Sequence, residues 1–267
     1  MATLLQWNCR GFRANRSDID LLIQRYSPVA ICLQETLLTN ITYTIPQYVP
    51  YHIFASLDNN NRPHGGVSIF VKSNIPQRKI SLDTDIPAVA VSLTHGKKFT
   101  LCSIYLNPRN NITLEDLYHL TEQLPKPYIL LGDFNAHNTL WGDSNTDQKG
   151  GIIEELLNIQ QLCLWNDGTP TYLHPATGTR TCIDLSISHS SLHLDYTWHV
   201  HEELRIPVEV TIFPLSSGHA WIYQRRNCKD GNSTKPIGFF FHNFVCLNSI
   251  RSITSQMKIQ SISLLRH

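Results

Sequence analysis

Apolar and polar positions along the chain follow two periods. Residues 3–7, 29–33 and 128–131 are short, nearly unbroken apolar runs, halted at Asn8, at Glu35 and at Gly132-Asp133. Runs of this length predict strands buried on both faces. Val67, Ile69 and Val71 alternate with Ser68, Phe70 and Lys72. The same period of two returns at Val89, Val91 and Leu93 and along Phe99, Leu101, Ser103 and Tyr105. Further strand patterns lie at 182–187, 196–200 and 208–213. Three segments instead carry a helical period. Ile19, Leu22, Ile23 and Tyr26 follow Ser17, a candidate N-cap. Leu117, Leu120 and Leu124 follow a Thr113-Leu114-Glu115-Asp116 capping box. Ile152, Ile153, Leu156, Leu157 and Ile159 follow the Gly150-Gly151 pair. Some ten strands and three helices without strict alternation predict an α/β fold: two packed mixed β-sheets flanked by helices.

The composition of the 267 residues, 42% hydrophobic and 16% charged, supports a real core and excludes disorder throughout. The longest apolar runs, at 128–131 and 239–241, are far short of a membrane span. No basic segment followed by an apolar one opens the chain, so neither membrane insertion nor secretion is expected. Seven scattered cysteines without metal-ligand spacing read as free thiols, mostly buried, in a reducing compartment. The thirteen histidines are equally scattered. Charge divides unevenly: residues 1–213 hold 15 Lys+Arg against 20 Asp+Glu, while 214–267 hold 7 against Asp230 alone. An acidic body argues against nucleic-acid binding by bulk electrostatics, but not against an enzyme that reaches phosphates through a bound divalent metal. Beyond Pro214 the periodicity degrades. The expectation is one domain over 1–213 and a basic, poorly structured tail over 214–267.

Several strands end on polar groups: Asn8 after Leu4-Leu5-Gln6-Trp7, Glu35 after Ile31-Cys32-Leu33-Gln34, Asp133 and Asn135 after Leu130-Leu131-Gly132, and Asp184 after Cys182-Ile183. Tyr105 and Asn107 close a fifth. One Asp or Asn after a strand is ordinarily a turn residue or a cap. Five such endings from shared sheets can converge, and their oxygens suit a hard cation, Mg²⁺ or alternatively Mn²⁺.

Gln6-Trp7-Asn8-Cys9-Arg10-Gly11, Leu33-Gln34-Glu35-Thr36, Ser103-Ile104-Tyr105-Leu106-Asn107-Pro108, Leu131-Gly132-Asp133-Phe134-Asn135-Ala136-His137, Leu140-Trp141-Gly142, Thr181-Cys182-Ile183-Asp184-Leu185 and Trp198 occur in one order over residues 3–213. In that order they resemble the endonuclease/exonuclease/phosphatase superfamily, and within it the apurinic-like endonuclease domain of jockey-type non-LTR retrotransposons. The resemblance implies a four-layer, DNase I-like α/β sandwich and a Mg²⁺-dependent DNA endonuclease that leaves a 3′-OH primer. It implies a reverse transcriptase domain in the full-length element and an intracellular, nuclear place of action. By resemblance Glu35 and Asn8 serve the metal. Tyr105, Asp133, Asn135 and Asp184 serve the scissile phosphate and the attacking water. Candidate substrate contacts are Asn107, Arg10, His137 and Trp141. For His137 a plain loop role, for Arg10 a solvated helix entry, and for Trp141 and Trp198 ordinary packing are the competing readings.

One element of the resemblance is missing. The family closes its core with Ser-Asp-His before an apolar residue and Pro; here Arg205 runs directly into Ile206-Pro207, and no Asp-His dipeptide occurs in the chain. The expectation is therefore a weak or inactive nuclease. Rescue by His199, His201 or His219 would need a repacked loop. The alternatives are a catalytically dead remnant that keeps the fold and weak nucleic-acid binding, and a phosphatase of the same fold. The tail ending at His267 reads as part of a decayed or misjoined element.

Overall fold

The computed structural model describes residues 3–40, 43–201 and 209–214. In chain order the elements are β1 (Leu4–Asn8), α1 (Arg16–Tyr26), β2 (Ala30–Gln34), β3 (Tyr48–Ile53), β4 (Ser56–Leu57), β5 (Pro63–His64), β6 (Val67–Lys72), β7 (Gln77–Ile80), β8 (Ala88–His95), β9 (Lys97–Tyr105), α2 (Leu114–Glu122), β10 (Tyr128–Asp133), α3 (Gln148–Gln160), β11 (Leu162–Leu164), β12 (Tyr172–Leu173), β13 (Arg180–Thr181), β14 (Asp184–His189), β15 (Tyr196–His201) and β16 (Glu209–Pro214). Two six-stranded sheets run in the orders β15-β16-β1-β2-β6-β3 and β11-β14-β10-β9-β8-β7. They share one plan. In each, a parallel pair (β1 with β2, β9 with β10) is spanned by a helix, and antiparallel strands extend the sheet on both sides. A parallel pair needs such a crossover, and an antiparallel pair does not.

The sheets pack face to face. Leu4, Ala30, Cys32, Ile69 and Val71 meet Val89, Val91, Leu101, Ile129 and Leu131 between them. The alternate residues of the same strands face outward under helices. Leu5, Trp7, Ile31 and Leu33 lie with Ile19 and Leu22 of α1. Tyr128, Leu130 and Cys102 lie with residues of α2 and α3. The result is the expected four-layer α/β sandwich, and it explains why the central strands read as continuous apolar runs. Edge strands were harder to foresee: β3 and β7 are only half buried and carry little periodicity.

The Thr113–Asp116 capping box forms as expected. Two helix starts differ from the sequence reading. In α1 the cap position is Asn15, not Ser17. In α3 the helix begins at Gln148, capped by the Asp147 side chain, so the glycine pair lies inside it. The reason is steric: a Cβ on Gly150 would run into the His137 carbonyl. Cys9, Cys32, Cys102 and Cys182 are free and buried. Cys163, on edge strand β11, is also buried. Among the described residues no helix is long and apolar enough to cross a membrane. The predicted tail beyond 214 and the Arg205–Ile206 junction lie outside the described residues.

Within the β9–β10 pair, a Cβ on Gly132 would overlap the Ile104 carbonyl. Both are backbone-fixed in register, so Gly132→Ala is expected to cost about 3 kcal/mol or more, measured by denaturant unfolding.

Candidate active site

The period of two decides which polar groups meet. Gln6 and Asn8 share the inward face of β1 with Leu4, and Gln34 shares that of β2 with Ala30 and Cys32. Opposite them, Ser103 and Tyr105 follow Leu101, and Asp133 follows Ile129 and Leu131. Register then aligns the ends: Asn8 pairs with Gln34, Tyr105 with Asp133 and Asp133 with Asp184. Tyr105, Asp133 and Asp184 thus form a row across three adjacent strands, facing the ends of β1 and β2.

Side-chain amides bridge the two sheets. The Asn8 Nδ2 donates to Glu35 Oε1 at 2.9 Å and to Asp133 Oδ2 at 2.7 Å. The Gln6 Nε2 donates to Asp184 Oδ1 at 2.9 Å and to Gln34 Oε1 at 2.8 Å. Gln34 in turn donates to Ser103 Oγ at 2.8 Å. Asn135 closes the loop after β10, its backbone N–H on Asp133 Oδ1 (2.9 Å) and its Nδ2 on the Leu106 carbonyl (3.0 Å). Arg10, Glu35 and Asn135 adopt positive φ of 44°, 47° and 44°. Each strand therefore turns sharply at its end through a conformation side chains rarely adopt, a pattern typical of functional sites.

Electrostatics follow from burial. Asp133 is 4% exposed and Asp184 6%. Burial, the charge of Asp184 and that of Glu35 push the Asp133 carboxyl well above the usual range, against hydrogen bonds from Asn8 and Asn135. Burial raises Asp184 to about 6, against hydrogen bonds from Gln6 and Thr171 and the charge of Arg10. Burial and the Glu35 and Asp133 charges also raise Tyr105, which keeps its phenol protonated. Arg10 lies near these charges, with its guanidinium 4.9 Å from the centre of the Tyr172 ring. Three carboxylates near one guanidinium, with amide oxygens beside them, form a donor set suited to a hard divalent cation. The described residues contain no ready-made cage of three or more acidic, His or Cys ligands.

Asn8, Glu35, Tyr105, Asp133, Asn135 and Asp184 are thus brought to one locus, with Arg10 at its edge. Asn107 lies on the flank beyond Tyr105, its carbonyl accepting from Lys149 Nζ at 2.6 Å. His137 is turned to Asp143, with Nδ1 3.0 Å from Oδ2. Trp141, read as a substrate contact, is instead wholly buried under α3, its indole N–H on the Ala136 carbonyl at 3.3 Å; it has no face open to a base. Trp198 is likewise buried and donates to Ser186. His199 is exposed on edge strand β15. The sequence reading assigned no part to Gln6, Gln34, Ser103, Thr171 or Lys149. The available signal was a glutamine on an inward position of an otherwise apolar strand.

Comparisons with known proteins agree with this geometry. Residues 99–206 match the family model described as endonuclease-reverse transcriptase. The chain is 27% identical over 192 residues to a probable RNA-directed DNA polymerase from transposon BS of Drosophila melanogaster, covering 70% of this chain and 21% of that protein. It is 26% identical over 171 residues to the RNA-directed DNA polymerase of the mobile element jockey of Drosophila funebris, covering 62% and 18%. The chain thus spans about a fifth of the length of these relatives. Among solved structures, the endonuclease domain of TRAS1, a telomere-specific non-LTR retrotransposon, superposes with a TM-score of 0.66 at 19% identity, covering 80% of this chain and 97% of that one. An AP endonuclease from Archaeoglobus fulgidus gives 0.61 at 13%, covering 81% and 100%. Both share the DNase I-like fold.

The raised carboxyls predict a pH effect. In its folded environment Asp184 favours the protonated form, so its penalty is absent below its unfolded value near 4 and complete above about 6. In EDTA, stability should fall as pH rises through this window. Asp184→Asn should remove its share and be more stable than wild type at pH 7 by roughly 1–3 kcal/mol. Denaturant melts at pH 4 and pH 7 check this; an Asn variant no more stable at pH 7 would contradict the electrostatic account.

Proposed function

We propose that the chain is a member of the endonuclease/exonuclease/phosphatase superfamily, on its non-LTR retrotransposon branch, and that residues 1–213 form a DNA endonuclease domain that hydrolyses a phosphodiester to leave a 3′-OH, with strongly reduced activity. The observation that supports it is the amide bridge by which Asn8 joins Glu35 and Asp133 across the sandwich. In this reading the domain works beside a reverse transcriptase domain of a longer element, on nuclear DNA.

A phosphodiester is anionic and repels attacking water, so catalysis needs compensation for charge building on the phosphoryl oxygens. Glu35, with Asn8 beside it, would hold Mg²⁺ or alternatively Mn²⁺, which supplies that neutralising charge when bound. The residues of the chain do the rest. Asn8 fixes the spacing between Glu35 and Asp133. Asp133 orients water and accepts its proton; burial raises its affinity for that proton. Tyr105, held neutral, donates from its hydroxyl to a phosphoryl oxygen, and Asn135 offers its remaining amide N–H. Asp184, steadied by Gln6, has no imidazole partner supplied by a Ser-Asp-His motif, because the sequence lacks one. That absence removes an acid–base contribution of about 10²–10⁴-fold. It also favours the second reading, a remnant that keeps the fold and binds nucleic acid without turnover.

Nicking of supercoiled plasmid decides between them. Slow Mg²⁺-dependent nicking, abolished by Glu35→Ala and by Asp133→Ala, is expected for the endonuclease; no nicking with retained DNA binding identifies the remnant. Rapid nicking that is lost in both variants would overturn the claim of reduced activity. Limited proteolysis should leave a protected core ending near residue 213, and a fragment ending far from there would refute that boundary.

A further inference from the structure

On the Tyr105 flank of the site the surface opens into a cavity of about 500 Å³. It abuts the centre directly. Gly65 and Gly66 line it, and their carbonyls accept the backbone N–H groups of Leu37 and Thr36, the residues that follow Glu35, at 3.1 Å each. Tyr105 and Asn107 form the opposite boundary. Asp184, Arg10 and Tyr172 do not line it; Tyr105 is the group of the centre that does.

The lining has the chemistry of a base-binding pocket. Phe54 and Ile53 stand at the lip, 39% and 42% exposed, a paired apolar exposure that costs solvation unless something covers it. The Phe54 ring is stacked on His52, with centroids 5.4 Å apart and planes 28° from parallel. One partner thus fixes the ring while the side chain stays accessible. Lys79, exposed on edge strand β7, has no ion pair among the described residues and lines the same cavity. Asp85 also lines it. The cavity is therefore no plain anion hole: it offers an aromatic plane, the Lys79 cation, and acceptors that include the Asp85 carboxylate and the Asn110 amide. A phosphate-bearing ring with amino donors satisfies all three, and the volume accommodates one nucleotide.

We propose that this cavity is a nucleotide subsite: it takes the base of the residue adjoining the scissile phosphate, stacked on Phe54, with Lys79 toward the next phosphate. The assignment rests on the endonuclease reading and extends it to substrate positioning. It places recognition on the β3–β5 segment and the β7–β8 connection, away from the groups that act on the phosphate.

The test uses the full chain with short DNA oligonucleotides carrying 2-aminopurine at successive positions, Ca²⁺ replacing Mg²⁺. At one position next to the bound phosphate, wild type should change the probe's fluorescence. Phe54→Ala should abolish that change and weaken binding about tenfold; Lys79→Ala should weaken binding several-fold and lessen its salt dependence. Both side chains are exposed, so unchanged melting temperatures serve as the folding control. If both variants bind and fluoresce as wild type while Arg10→Ala weakens binding, the subsite is wrong and the endonuclease reading stands. If wild type binds none of the oligonucleotides, both fall together.

Discussion

Two side-chain amides from one sheet hold two carboxylates of the other, and the site depends on this clasp. Asp133 and Asp184 sit opposite each other on neighbouring strands, an arrangement that is destabilising for like charges. Asn8 reaches the first at 2.7 Å and Gln6 the second at 2.9 Å. Hydrogen bonds to charged groups contribute about 1.5–3 kcal/mol each, and here they offset part of the repulsion and desolvation that still hold both carboxyls above the usual range. The clasp is also geometric. Gln6 and Asn8 lie two residues apart on one strand face, so β1 cannot slip by one residue without turning both amides toward α1 and leaving both acids unpaired. The spacing of the sandwich and the architecture of the site are one constraint.

The turns beyond the strands carry a second cost of the same origin. Arg10, Glu35 and Asn135 each take a left-handed backbone conformation, worth about 1 kcal/mol or more apiece. The backbone partners around them show what holds these turns. Gly11 and Phe12 donate to the carbonyls of Glu35 and Thr36, so the loops after β1 and β2 are stitched to each other. The Asn135 side chain is anchored on Leu106, which ties the loops after β9 and β10 in the same way. Each parallel pair thus ends in a pair of mutually braced loops. The shared plan of the sheets reproduces at the site as two facing braces, one bearing Glu35 and the other Asp133.

Much of this was legible before the structure, and the limits of legibility are physical. Strands buried on both faces announce themselves as apolar runs, and a polar residue at the end of such a run is conspicuous. That is why Asn8, Glu35, Asp133 and Asp184 could be picked out. Gln6 and Gln34 were harder, because a polar residue inside a run looks like an imperfection until the opposite sheet supplies its partner, 178 residues away for Gln6 and Asp184. Trp141 failed for the converse reason. An aromatic beside the loop that follows Asp133 suggests stacking, but its environment is set by α3, which folds over it from later in the chain. The placement of α3 turned on one steric contact between Gly150 and the His137 carbonyl, which no local propensity encodes. Edge strands β3 and β7 and the small hairpins escaped because partial exposure erases the pattern.

On the proposed reading, the Ser-Asp-His absent from the sequence bears on the chemistry and not on the strand pairing, and the register shows why. β16 lies between β15 and β1, pairing His201 with Glu209 on one side and Leu4 with Ile212 on the other. Six residue pairs fix the first register and three the second, and adjacent antiparallel strands in general need only a short connection. On the proposed reading, the lack of the motif takes away an acid–base partner, while the strand pairing, the amide clasp and the braced loops are as observed. The strands that build the pocket, β1, β2, β10 and β14, hold one another through their own ladders and through the amides of Asn8 and Gln6.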